Sequence, residues 1–95
     1  MTTSVYRFEF DRAIPLTEAE ASLQLATFAA EGLFSQARIR MELSYHVDEP
    51  RRAIIADGTT AVGNTVIKMF TALLIREFGE LSFQVRRVTP VASAS

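Results

Sequence analysis

Apolar residues recur at every second position in three separate stretches of this chain, and that period constrains it more than any other feature. Within residues 4–11, Tyr6, Phe8 and Phe10 alternate with Arg7, Glu9 and Asp11. Within residues 37–47, Ala37, Ile39, Met41, Leu43, Tyr45 and Val47 alternate with Arg38, Arg40, Glu42, Ser44 and His46. Within residues 81–88, Leu81, Phe83 and Val85 alternate with Ser82, Gln84 and Arg86. Side chains of a β-strand point to opposite faces in turn, so each stretch predicts a strand with one dry and one wet face. Residues 52–57 are apolar on both faces from Ala53 to Ala56, as an inner strand would be.

Two segments between these strands have helical character. The first opens after Pro15, with Thr17 and Glu20 at the spacing of a capping box and Leu16 placed as a hydrophobic staple. It runs to Glu31, where Gly32 is placed as a left-handed cap. The second ends near Phe78 with Gly79 as its cap, and Asp57, Thr59 and Asn64 are its candidate N-caps. Asp48, Glu49 and Pro50 mark a turn between the second and third strands.

The resulting order is β-α-β-β-α-β. It predicts an α+β two-layer sandwich of the split βαβ, ferredoxin-like kind, with an antiparallel four-stranded sheet and both helices on one face. Right-handed crossovers place the first and third strands in the centre. Ninety-five residues make one domain, expected over residues 1–89, followed by a small, polar, disordered tail at 90–95.

Composition narrows the function classes. Cysteine is absent, which excludes a disulfide framework and a thiolate metal site or nucleophile. Eleven acidic and ten basic residues leave a net charge of −1, without the basic excess of a dedicated nucleic-acid binder. The wet sheet face is expected to interleave both signs, and its aromatic residues fall on the other side, unlike an RNA-stacking sheet. The N-terminus lacks the basic and apolar regions of a signal peptide, and no apolar run approaches the roughly 20 residues of a membrane span. A soluble cytoplasmic protein with no membrane association and no cofactor is the expectation.

The candidate ligand site is the loop from the third strand into the second helix. Gly58, Thr59, Thr60, Gly63, Asn64 and Thr65 fall in a G-x-x-x-x-G-N-T pattern. It matches a phosphate-binding loop except that Asn64 replaces the lysine that reaches the outer phosphates. Two glycines and several hydroxyls ahead of a helix could still present N–H groups to an anionic small molecule. His46, the sole histidine, stands near one end of the wet face beside Asp48 and Glu49 and is added to that candidate set. No catalytic constellation and no metal-ligand set is apparent, and whether the chain is an enzyme stays open.

The helices point to a surface instead. At 100° per residue, Ala19, Leu23, Ala26 and Ala30 make one stripe of the first helix, while Ala21, Leu25 and Phe28 point almost the opposite way. The second helix has a wide apolar arc, with Ile75 outside it beside Lys68. Leu25, Phe28 and Ile75 are the candidate interface residues, because large apolar groups left over by a core mark partner surfaces. The leading reading is a non-catalytic binding or interaction module acting as a homo-oligomer, a dimer by preference. The alternative is an anionic-ligand protein or enzyme using the loop.

Overall fold

Strand β1 (Val5–Phe10) turns Phe8 and Phe10 into the core and leaves Arg7 and Glu9 on the other face, as its alternation requires. The computed structural model of the chain describes residues 4–88. The elements that follow are α1 (Leu16–Ala30), α2 (Gln36–Glu42), β2 (Tyr45–Asp48), β3 (Ala53–Asp57), α3 (Ala61–Phe78) and β4 (Phe83–Val88). The expected tail at residues 90–95 lies outside the described residues.

The four strands form one sheet in the order β2-β3-β1-β4, with every neighbouring pair antiparallel. The architecture is therefore α+β, with three α-helices rather than two among the described residues. Phe8, Phe10, Ile54, Ala56 and Phe83 on the sheet share one buried cluster with Leu23, Ala26, Ile39, Val66 and Phe70 on the helices. Phe8 sits directly opposite Ile54 on one side and Val85 on the other. Its ring meets that of Phe70 at 4.8 Å between centroids and 57° between planes, a tilted contact that aromatic quadrupoles favour.

The largest departure from the sequence reading lies at residues 37–47. An eleven-residue strand was expected there, and the chain instead forms helix α2 followed by the four-residue strand β2. Met41, expected on the dry face, is 85% exposed, whereas Ile39 is buried. Ser35 caps α2 by accepting from the Arg38 N–H at 3.1 Å, and Arg38 pairs with Glu42 one turn on at 3.0 Å. Arg38 also lies over the Phe34 ring, 4.9 Å from its centroid. A strand of eleven residues would extend about 36 Å, and its partner β3 has five residues with which to pair. Arg38, Arg40 and Glu42 are consequently not on the wet sheet face.

Several boundaries also differ. Helix α1 begins at Leu16 with Pro15 as N-cap, and no side chain caps it, so the Thr17–Glu20 capping box does not form. The Pro15 carbonyl starts the ladder instead, accepting from Glu18 at 3.0 Å and Ala19 at 3.1 Å. At the other end, tight turns from Glu31, Gly32 and Leu33 back to Phe28, Ala29 and Ala30 close the helix. Gly32 therefore keeps an ordinary backbone, and only Gly79 among the glycines has positive φ, at 88°. Gly79 ends α3 as expected, donating to the Ile75 carbonyl at 3.0 Å. A single 3-10 turn over Glu80–Ser82 then delays β4 and leaves Leu81 fully exposed rather than on the dry face with Phe83.

Candidate interaction face

The 58–65 loop bonds many of its polar groups within the chain, to its own helix turn and to Ser4, Glu42 and Asp57. Helix α3 is capped by Thr60, not by Asp57, Thr59 or Asn64. The Thr60 hydroxyl accepts from the Gly63 N–H at 2.9 Å and donates to the Glu42 carbonyl at 2.9 Å. The Thr65 hydroxyl donates to the Ala61 carbonyl at 2.9 Å. The Thr59 hydroxyl accepts from the Ser4 N–H at 3.1 Å, and its own N–H donates to the Asp57 carboxylate at 2.8 Å. The Gly58 N–H donates to the Ser4 carbonyl at 2.6 Å. Asn64 lies inside the first turn of α3 with its N–H bonded to the Thr60 carbonyl at 2.9 Å.

Both glycines of the loop answer to packing. A Cβ at position 63 would lie 2.1 Å from the Asp57 carbonyl oxygen, and one at position 58 would lie 3.0 Å from Ile67 Cδ1 and from Tyr6 Cε2. The loop brings the first turn of α3 hard against the end of β3, which is the close helix-on-strand approach that glycine alone permits. Thr60 further ties this junction to the last residue of α2.

His46 is exposed on edge strand β2 and borders a shallow recess with Glu20, Asp48 and Glu49. The Asp48 carboxylate is engaged elsewhere, 3.3 Å from the Arg51 guanidinium and 3.9 Å from that of Arg7. Among the described residues, no three His, Cys, Asp or Glu side chains are grouped to hold a metal ion. The recess that His46 borders is lined by Glu20 and residues 46–50 and includes none of the 58–65 loop.

The open face of the sheet carries an ionic ladder. Glu9 Oε2 accepts from Arg7 Nε at 2.8 Å and from Arg86 Nη2 at 2.6 Å. These two guanidinium donors hold the Glu9 carboxyl below the ordinary carboxylate range, Arg7 first and Arg86 second. Arg7 also reaches across β3 toward Asp48, and Ala53 on the strand between them has no exposure. Three arginines and two carboxylates alternate along this path, so the charges are neutralised largely within the face.

The helical layer presents the opposite character. Ala19, Leu23, Ala26 and Ala30 of α1 are fully buried, as their stripe implied. On the outer side Leu25 is 55% exposed, Phe28 69% and Ile75 44%. Between α1 and α3 runs a groove lined by Leu25, Ala26, Ala29, Met69, Ala72 and Leu73, with Arg76 at its rim. The two helices are antiparallel here. Ser22, near the start of α1, donates to the Glu77 carboxylate near the end of α3 at 3.0 Å and closes one end of the groove. Ala26, Ala29 and Ala72 line it between flanking Leu and Met side chains.

Comparison with protein-family models, with curated proteins and with solved structures returned no match for this chain. The sequence reading singled out Leu25, Phe28 and Ile75, placed Met69 and Leu73 only within the wide apolar arc of α3, and missed the groove residues Ala29 and Ala72. The recurrence of Met69, Ala72, Leu73 and Arg76 at helical spacing was the available signal. It could not be used without knowing that α1 lies alongside. No described helix is long and apolar enough to cross a membrane.

Proposed function

We propose that this chain is a small non-catalytic interaction module that works as a homo-oligomer, docking through the outer face of its helical layer. The observation that carries the proposal is the apolar groove between α1 and α3, flanked by the exposed Leu25, Phe28 and Ile75. Contiguous apolar surface of this kind mostly marks a partner site on a water-soluble domain. The same reading takes the module to be cytoplasmic and of ferredoxin-like topology, the latter supported by the β2-β3-β1-β4 order.

The anionic-ligand alternative loses its support at the 58–65 loop, where the threonine hydroxyls and the Gly58, Thr59, Gly63 and Asn64 N–H groups are bonded within the chain. Nucleic-acid binding draws no support from a sheet face whose arginines are paired with Glu9 and Asp48. Sedimentation equilibrium of the purified protein at micromolar concentration tests the proposal. A mass of two or more chains is expected. Leu25→Glu combined with Ile75→Glu should reduce it to one chain while the fold persists. A wild-type mass of one chain would sink the homo-oligomer reading.

A further inference from the structure

The α1–α3 groove and the exposed Phe28 both open to solvent on the helical layer, and this pairing allows a more specific statement. At 100° per residue Phe28 lies about 60° from Leu25 around α1, on the side away from Ala26 and Ala29, so it projects to solvent just outside the groove that those residues line. It is a large apolar knob with 69% of its surface exposed, beside a groove in which Ala26, Ala29 and Ala72 leave room between Leu25, Met69 and Leu73. A surface that carries both a knob and its hole is self-complementary under a two-fold axis, because residue i of each copy can meet residue j of the other.

Resting on the proposed homo-oligomeric function, we infer that Phe28 of one copy inserts into the α1–α3 groove of a second copy, and reciprocally. The available area favours a second copy as the occupant. At roughly 200 Å² per large apolar side chain, Leu25, Phe28 and Ile75 leave about 300 Å² of apolar surface open to water. A stable dimer buries about 800 Å² per copy, of which somewhat over half is apolar. The three side chains supply most of that apolar share, and the groove between Ala29, Ala72 and Met69 adds to it. The small side chains of Ala29 and Ala72 let the partner ring reach the groove floor. Arg76 at the rim is placed to lie over the face of an inserted ring, a cation–π arrangement this chain already uses between Arg38 and Phe34.

The test separates the insertion from the wider reading. Wild type, Phe28→Ala and Ala72→Trp are each measured by sedimentation equilibrium, with circular dichroism and thermal midpoints confirming that each is folded. Both substitutions are at exposed positions. Wild type is expected at twice the chain mass, and each variant alone at one chain mass. Phe28→Ala removes the knob, and Ala72→Trp fills the hole. Mixed in equal amounts, the two variants are expected to recover a two-chain species, since the Trp occupies the space that Phe28→Ala vacates while the remaining Phe28 finds an open groove. If the Ala72→Trp chain does not fold, Ala29→Trp fills the same groove. A two-chain wild type whose Phe28→Ala variant keeps that mass overturns the insertion and leaves the homo-oligomer standing. So does a mixture that stays at one chain mass. A one-chain wild type overturns both.

Discussion

The carbonyl oxygen of Asp57 lies 2.1 Å from the point where a side chain at position 63 would begin, so Gly63 is the residue that lets helix α3 start against the end of β3. Atoms cannot approach so closely, and the obstacle is backbone rather than the end of a flexible side chain. Gly63→Ala must therefore push α3 away from the sheet or break the Thr60 cap. Overpacking of this kind costs about 1–3 kcal/mol, which lowers the unfolding midpoint by roughly 5–20 °C at 4–8 °C per kcal/mol for a domain of this size. Gly58→Ala should cost less, because its neighbours at 3.0 Å are the side chains of Ile67 and Tyr6, which can shift. Thermal unfolding of the two variants checks the order. Equal losses would mean that α3 adjusts freely at position 63.

Arg52 holds φ at 51°, a left-handed conformation, while its Nη2 donates to the carbonyls of Asp11, at 3.0 Å, and Ile14. The side chain pins the loop between β1 and α1 to the β2–β3 turn, and the backbone is strained to put it there. Arg52→Gly and Arg52→Ala both lose the clamp, but only alanine keeps the strain. The glycine variant is expected to be more stable than the alanine variant by about 1 kcal/mol, with both below wild type. Denaturant unfolding compares the three. A glycine variant at or above wild type would show that the clamp contributes nothing net.

Glu9 joins two arginines that sit side by side, since Arg7 and Arg86 are direct partners in the β1–β4 register. Glu9→Gln leaves those like charges facing each other and should destabilise the domain at neutral pH. Folding lowers the pKa of Glu9, so its contribution is fully present above the ordinary carboxylate range and is lost as pH falls through the lowered folded-state value. The gap between wild type and Glu9→Gln should therefore shrink in acid. Unfolding midpoints across the acid range would show it, and a gap that widened as pH fell would contradict the ladder.

Ser35 supplies the only side-chain cap of a seven-residue helix whose sole buried residue is Ile39. Losing such a cap costs about 0.5–2 kcal/mol, a large share of what holds so short an element. Ser35→Ala is expected to speed amide exchange in α2 while the β1 and β3 amides keep wild-type protection. Uniform loss of protection across the sheet would show that α2 is part of the cooperative core.

Much of this was legible in the residues. Tyr6, Phe8 and Phe10 could face only one way. The Ala19, Leu23, Ala26 and Ala30 stripe is buried as its spacing required, and Gly79 closes α3 with positive φ. Residues 37–47 misled because Ile39 and Leu43 satisfy a period of two and a helical i, i+4 pair equally well. Ser35 and the Arg38–Glu42 spacing were the local cues for a helix. The 58–65 loop misled in another way, since glycine before and inside a helix start serves a bound anion or a close backbone contact with the same sequence.

The sequence by itself determined which faces of β1, α1 and α3 are apolar and which large residues a single core could not absorb. Those follow from periods of 2 and 3.6 residues, which are local properties of a chain. Only the tertiary structure decided that Gly63 faces the Asp57 carbonyl, that Arg7 crosses β3 toward Asp48, and that Leu25 and Ala29 share a groove with Met69 and Ala72. Each of these joins residues from different elements. Their distance apart is set by how strands pair and helices pack, and no local pattern of residues encodes it.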